Sequence, residues 1–199
     1  MKTITIAISA IMFLTCIGCS ENEIASDDDA EMKNKTELEQ VYQQLKTDLE
    51  KLRPQSIRPA EGYIKYDYLI PAGFYKQMWD WDGFFIGVHL ASRSEDEVKY
   101  LKYWVLNFAE AIDEEGYVAG CVTTKGPRPI FGKFAMKPFL SQGAYFASEK
   151  LGDYSWLEDI YPNLKKVVEY REATQFDPKY NLFYWDNAMQ SGADNNVAL

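Results

Sequence analysis

Three segments of the sequence concentrate carboxylate, amide and aromatic side chains that could do chemistry. They are residues 77–85 (QMWDWDGFF), residues 137–142 (KPFLSQ) and residues 185–196 (WDNAMQSGADNN). Carboxylic acids and carboxylates at fixed positions can donate and accept protons during a reaction. Aromatic rings pack on the apolar faces of sugars, and polar groups bind the hydroxyls. These side chains therefore suit a carbohydrate ligand, although a hydrophobic core would account for most of the aromatic residues.

The order and spacing of the three segments resemble the inverting glycosidase clan of trehalases, processing α-glucosidases (mannosyl-oligosaccharide glucosidase) and mannosylglycerate hydrolases. The resemblance extends over about residues 63–196. It implies an all-α fold, an (α/α)6 toroid, and hydrolysis of an α-linked glucoside with inversion. It also implies that Asp194 is the general acid and that four residues bind the substrate, namely Trp79, Trp81, Asp82 and Gln142.

The sequence departs from the pattern of that clan in two ways. Gln190 stands where the family commonly has Glu, and no residue matches the family's general base, a Glu far beyond the acid. The sequence ends five residues after Asp194. We therefore expect about the first half of a toroid, poorly stable and catalytically silent by itself. Two other hypotheses stay open: a non-catalytic carbohydrate-binding surface lipoprotein, and a scaffold lipoprotein whose aromatic residues only form a core.

Each candidate residue also has a purely structural interpretation. Residues 191–195 (SGADN) read as a polar turn when taken alone. Trp79 and Trp81 could be core residues, and Gln142 could simply face solvent. Asp82 precedes an apolar run and could be a helix N-cap, a role that is compatible with binding sugar hydroxyls.

The elements that must position these residues are predicted from apolar periodicity. Leu38, Val41, Leu45, Leu49 and Leu52 recur at three- and four-residue spacing, which predicts an amphipathic helix that Pro54 ends. Residues 55–79 have no helical period and are predicted to be extended or looped.

A short helix is predicted from Asp82 to about Ser92. Ser94 then caps the next helix, with Glu97 completing a capping box. The apolar stripe of that helix consists of five residues, Val98, Leu101, Val105, Phe108 and Ile112.

The rest of the chain is predicted as helices separated by long loops. Residues 113–134 form a loop rich in Gly and Pro, and a loop of this length is usually functional. A helix from about Ala135 is interrupted near Pro138 and ends at Gly152. Another occupies residues 154–174 and is kinked or split at Pro162. Residues 175–199 are loop-like, so the chain is predicted to be mostly α.

The N-terminus predicts export. Lys2 precedes an apolar run that is too short to span a bilayer, and the run ends in Gly18 and Cys19, which resembles a lipobox. Lipidation of Cys19 is therefore expected, in the periplasm or at the outer membrane or cell surface. The alternative is an ordinary secretory signal with incidental cysteines. The predicted organisation is a signal peptide (1–18), an acidic flexible tether (19–36) and the catalytic-domain portion (37–199).

Charge and residue usage exclude several other functions. The net charge is −9 and no basic stripe occurs, so nucleic acid is not expected as a partner, and the membrane only through the lipid anchor. No His/Cys cluster or phosphate loop occurs, so neither a metal nor a cofactor is expected. His89 lies on an apolar helix face and is predicted to be a core residue, as is the unpaired Cys121. The expected partner is a disaccharide or oligosaccharide.

Overall fold

The computed structural model describes residues 27–129, 135–185 and 188–191. These residues belong to two compact units that divide between Asp48 and Leu49. Helices dominate, and the described strands are two or three residues long. The prediction of a mostly α protein is therefore confirmed at the level of a helix-rich fold, to which the structure adds short antiparallel strands.

The six α-helices described are α1 (Asp27–Ser56), α2 (Asp80–Arg93), α3 (Val98–Ala109), α4 (Leu140–Leu151), α5 (Tyr161–Gln175) and α6 (Ala188–Ser191). Short 3₁₀ helices cover Glu95–Glu97 and Ser155–Leu157. The strands are β1 (Ile57–Arg58), β2 (Tyr68–Leu69), β3 (Met78–Trp79), β4 (Cys121–Thr123), β5 (Gly126–Pro127), β6 (Phe176–Asp177) and β7 (Leu182–Phe183).

The short strands pair antiparallel, as β1–β2, β3–β4–β5 and β6–β7. In the three-stranded sheet, Trp79 lies opposite Cys121 and Thr123 lies opposite Gly126. The prediction of an unstructured loop over 113–134 was therefore wrong for its middle part, which forms the β4–β5 hairpin. Gly126 permits the tight turn because its φ is 122°, a value that side chains larger than hydrogen rarely tolerate.

The core forms where α3 packs against both α2 and α4. Trp104 of α3 is fully buried there, and the neighbouring helices face it with glycine. A Cβ atom at Gly83 of α2 would lie 2.5 Å from the Trp104 ring, and one at Gly143 of α4 would lie 2.7 Å from it. The two glycines thus let three helix backbones approach one large indole.

The apolar stripe predicted for α3 is confirmed, because Val98, Leu101, Val105 and Phe108 are all buried in the core cluster. Ile112, the fifth member of the predicted stripe, lies beyond the end of α3 and is only partly buried against that cluster.

Several boundaries of α1 differ from the prediction. The helix begins at Asp27, so residues 27–36, predicted as part of a flexible tether, are helical. Acidic residues at a helix N-terminus interact favourably with the macrodipole. Pro54 lies inside the helix instead of ending it. This position is close to the C-terminus, where losing one N–H bond leaves only two further residues to continue the helix.

The helices predicted to start at Asp82 and Ser94 also begin at other residues in the structure. Asp82 is not an N-cap, because α2 begins at Asp80 and Trp79 occupies the cap position. The Ser94 hydroxyl accepts a hydrogen bond from the Asp96 N–H at 3.2 Å, so it caps the 3₁₀ turn and not α3 directly. His89 is exposed, and its prediction as a core residue was wrong.

The predictions for the later helices are mostly confirmed. Gly152 ends α4 with a φ of 62°, and α5 starts at Tyr161 with Pro162 in its first turn, which realises the predicted split. However, α4 begins only at Leu140, because Ala135 instead pairs with Ala119 in a β-bridge. Cys121 is free and buried, as predicted, and burial raises the pKa of its thiol to about 11.

A cluster of charged side chains connects the C-terminal part of α1 with the end of α2 and the 3₁₀ turn that follows it. Glu97 is 6% exposed and pairs with Arg53 of α1. Its other oxygen lies 3.6 Å from Nε of Arg93, and Arg93 also pairs with Glu50. This pairing lowers the pKa of Glu50, chiefly through the hydrogen bond from Arg93.

Candidate functional site

The most deeply buried carboxylate of the described residues is Asp80, at the first turn of α2. It is 1% exposed. Its Oδ1 accepts a hydrogen bond from the Trp81 N–H at 2.7 Å, and its Oδ2 accepts one from the Lys137 N–H at 2.8 Å. The Asp80 N–H in turn donates to the Gly120 carbonyl at 2.9 Å. Asp80 thereby connects three chain segments through its carboxylate and its backbone N–H, and the N-terminus of α2 favours a negative charge at this position.

Lys137 connects this carboxylate to the indole of Trp81. The ammonium nitrogen lies 3.3 Å from Oδ1 and 3.4 Å from Oδ2 of Asp80. The same nitrogen lies 5.1 Å from the centroid of the Trp81 ring, which is within cation–π range. Asp80 therefore positions Lys137, and Lys137 covers one face of Trp81.

Asp82 lies two residues after Asp80 on α2 and is partly buried. Burial is the main cause that raises the pKa of its carboxyl group, and the negative charge of Asp80 raises it further. The positive charge of Lys137 opposes this shift. Asp82 thus belongs to the same electrostatic cluster as Asp80 and Lys137, and it holds a proton more readily than an exposed aspartate does.

Trp79, the first tryptophan of the same motif, lies in strand β3. Its carbonyl accepts a hydrogen bond from the Trp104 indole at 3.3 Å, and its ring meets Tyr75 edge-on with centroids 6.2 Å apart. The indole N–H of Trp79 is buried and donates to no acceptor within the described part of the chain. An unpaired buried donor costs free energy unless a ligand or water accepts from it.

A groove of about 430 Å³ lies beside the start of α4. Its lining combines cationic, amide and aromatic side chains from α4, α5 and the segment after β7, among them Lys137, Gln142, Arg171, Tyr184 and Trp185. Gln142 is exposed, and its amide donates to the Pro138 carbonyl at 3.1 Å. This mixture of amide and aromatic groups in a concavity is typical of small-molecule sites.

Arg171 anchors the far wall of the groove. Arg171 is 9% exposed, and its guanidinium donates to the Met136 carbonyl. Its central carbon lies 5.2 Å from the ring centroid of Trp185. Burial lowers the pKa of Arg171, while the negative charge of Asp80 opposes that shift. Arg171 and Lys137 thus form two cation–aromatic pairs around one groove.

The structure brings some of the predicted site residues together. Lys137 is the link, because it contacts Trp81 and also lines the groove with Gln142. Among the described residues, the lining of the groove does not include Trp79, Trp81 or Asp82. Trp81 is instead joined to the groove through Lys137, whose positive charge also acts on Asp82.

Two of the predicted functional residues are not among those that the structure describes. Asp194, the predicted general acid, and Cys19, the predicted lipidation site, lie outside the described residues. Gln190 of α6, which replaces the family's usual Glu, is described and is buried at 6% exposure. The roles of Asp194 and Cys19 therefore stay predictions.

Sequence reasoning missed Asp80, Lys137 and Arg171. A signal existed for Asp80 and Lys137, because both stand inside the segments that carry the resemblance. However, a buried contact between two residues that are 57 positions apart produces no pattern in the local sequence. Arg171 gave no signal, since it follows the polar pattern of an amphipathic helix.

The described residues contain neither a candidate metal cluster nor a candidate membrane-spanning helix. Among them, no group of three or more His, Cys, Asp or Glu side chains could hold a metal ion. No helix in the described ranges combines the length and apolar character needed to cross a membrane.

No protein-family model matches the chain, and neither a curated protein nor a solved structure matches it. The resemblance to the glycosidase clan therefore rests on the sequence motifs alone and stays a prediction.

Proposed function

We propose that this chain forms the substrate-binding side of an inverting α-glycosidase domain of the trehalase and processing-glucosidase type. The observation that carries the proposal is the clustering around Lys137. This residue contacts Trp81 of the first motif, its charge acts on Asp82 of the same motif, and it lines the groove that contains Gln142 of the second motif and Trp185 of the third. Motifs that are far apart in sequence thus contribute to one part of the fold.

The helix packing is compatible with an (α/α)6 toroid. Consecutive helices α2, α3 and α4 pack on one another, and α2 also contacts α4. Contacts between alternate helices are what a ring with inner and outer helices requires. The toroid is therefore part of the proposal.

Asp194 is proposed as the general acid, because it stands at the acid position of the third motif. Asp80 is unsuited to that role, because its buried carboxyl group already accepts hydrogen bonds from two backbone N–H groups and from Lys137. Asp82 and Gln142 would bind sugar hydroxyls, and the exposed face of Trp81 would pack on a sugar ring. The resemblance assigns no residue of this sequence as the base that activates water, so the proposal for these residues is binding together with acid catalysis.

One observation favours a second candidate function, a carbohydrate-binding lipoprotein without activity. The described groove provides binding groups, but the buried carboxylate next to it is committed to an ion pair with Lys137. A site built in this way can bind a glycoside without hydrolysing it.

Calorimetry of the full chain with trehalose and with malto-oligosaccharides tests both functions. We expect saturable binding that Trp81→Ala weakens about tenfold or more, which corresponds to about 1.4 kcal/mol. Trp156→Ala is the matched control, since Lys102 also lies 5.1 Å from the Trp156 ring centroid, but Lys102 does not line the groove, whereas Lys137, the partner of Trp81, does. Circular dichroism would show that both variants fold.

Proton NMR of the released sugar then separates the two functions. Release of β-glucose from the non-reducing end of malto-oligosaccharides, with loss of turnover in Asp194→Asn, supports the inverting glycosidase. Saturable binding without turnover by this sequence, and also by a version extended to a full toroid, supports the binding protein. Absence of binding, or equal weakening by the two tryptophan variants, would contradict the proposal, and release of α-glucose from the non-reducing end of malto-oligosaccharides would contradict inversion.

A further inference from the structure

The helix α1 carries an apolar stripe that the described structure leaves largely uncovered. Five of its members are exposed, with Leu38 at 71%, Val41 at 65%, Tyr42 at 52%, Leu45 at 54% and Leu52 at 43%, and Leu49 is half-buried. Apolar side chains exposed along a helix of 30 residues are unusual, because such helices obtain most of their stability from burying one face.

The spacing of this stripe follows a heptad repeat. Leu38, Tyr42, Leu45, Leu49 and Leu52 are separated by four, three, four and three residues, which places Leu at the three d positions and Tyr42 and Leu49 at a. The only other apolar residue between 38 and 52 is Val41, at the flanking g position. This alternation of three and four residues is the pattern of a coiled-coil seam.

The residues that flank the seam suit a second, parallel copy of the same helix. In an in-register parallel pair, a g residue faces the e residue five positions later on the other helix. Asp48 would then face Arg53 of the second copy, and Val41 would face the aliphatic stem of Lys46. Lys46 already lies beside the seam, with its ammonium 5.4 Å from the Tyr42 ring centroid. Neither of these pairings places two like charges opposite each other.

A lipid surface fits this helix less well than another protein helix does. Helices that lie on anionic membranes carry Lys and Arg on the polar face. The polar face of α1 instead mixes both signs, for example Glu37, Glu39, Glu50 and Lys51. This mixture of acidic and basic residues on the polar face thus favours a helix as the partner over a membrane.

We propose that α1 is a homodimerisation element that pairs in parallel with α1 of a second copy through the Leu38–Leu52 seam. The proposal is independent of the glycosidase hypothesis, because it uses none of the site residues.

Sedimentation equilibrium of the full chain in detergent, from about 1 to 100 µM, tests the proposal. The wild type is expected to dimerise in this range. Leu38→Glu with Leu45→Glu should raise the dissociation constant at least about a hundredfold, because glutamate cannot be buried at d positions. The matched control is Gln40→Glu with Thr47→Glu, which adds the same charge at f positions on the opposite side of the helix and should leave dimerisation unchanged.

Disulfide cross-linking tests the parallel register. Leu45→Cys should form a covalent dimer on mild oxidation, while Gln40→Cys should not exceed the wild-type background. A wild type that stays monomeric would overturn the proposal, as would equal weakening by both charge pairs. A dimer that Leu45→Cys fails to cross-link would overturn the parallel arrangement. Binding of the monomeric wild type to anionic vesicles, lost in the Leu38/Leu45 variant, would assign the seam to lipid instead.

Discussion

Two buried carboxylates lie at opposite ends of α2, and they are satisfied in different ways. Asp80 precedes the body of the helix and binds two backbone N–H groups and one lysine. Glu97 follows the helix and binds two arginine side chains. The partners of Asp80 are mostly fixed backbone groups, and the side chain of Lys137 is only 16% exposed. Those of Glu97 are long side chains, 36% and 29% exposed, which can return to water.

This difference indicates distinct roles for the two groups. The backbone contacts of Asp80 fix its carboxylate relative to β4, α2 and the start of α4, so that it can hold Lys137 against Trp81. Glu97 instead connects side chains from α1 and α2 and can lose a partner with less rearrangement. We therefore expect substitutions at Asp80 to be more damaging than those at Glu97.

The largest effect is expected for Asp80→Ala. This change leaves the Lys137 ammonium and two backbone N–H groups without their acceptor, and removal of one member of a buried ion pair costs about 3–5 kcal/mol. Urea denaturation measures the loss in the free energy of unfolding. Asp80→Asn is the control, since it keeps one acceptor oxygen and nearly the same volume, and it should cost clearly less. A loss below about 1 kcal/mol for Asp80→Ala would mean that the pair contributes no more than a surface one.

A smaller effect is expected for Glu97→Ala. Arg53 and Arg93 can be rehydrated, and Arg93 keeps Glu50, so we expect a loss of about 1–3 kcal/mol in the same measurement. The control is Glu169→Ala, which removes an exposed pair to Lys165 at 3.4 Å and should change stability by less than about 0.5 kcal/mol. If Glu97→Ala were as damaging as Asp80→Ala, the contrast between fixed and flexible partners would be wrong.

The smallest effect is expected for Asp82→Asn, and its sign is opposite. Because burial raises the pKa of Asp82 above the ordinary 3.8, the folded state binds a proton that the unfolded state releases. This side chain therefore disfavours folding as the pH rises above that value. Asp82→Asn should be more stable than the wild type at neutral pH, by less than about 1 kcal/mol.

The pH dependence of that difference is the sharper measurement. The stability gap between Asp82→Asn and the wild type should approach zero below about pH 3.8, where both folded and unfolded Asp82 are protonated. Urea denaturation of both proteins at several pH values gives the gap directly. A variant less stable than the wild type at neutral pH would show that the ionised carboxylate makes a favourable contact instead.

Local sequence determined much of the helical framework. The stripe from Val98 to Phe108 predicted α3 because a 3.6-residue period places those side chains on one face regardless of what covers them. Gly152 and Pro162 fixed the end of α4 and the start of α5 by their own backbone preferences, which need no tertiary partner. The segments that contain Trp81, Asp82 and Gln142 could likewise be recognised from their residue types and their order in the sequence.

Only the tertiary structure decided which groups meet and which faces are covered. The sequence of α1 predicted an amphipathic helix, yet burial of that face depends on a neighbour that periodicity does not specify, and the face is exposed. His89 lies on a helix that is apolar on average but faces outward. The pairing of Asp80 with Lys137 joins residues 57 positions apart, so no local pattern could predict it. Such a contact exists only because the approach of β4, α2 and the start of α4 places one carboxylate within hydrogen-bonding distance of all its donors.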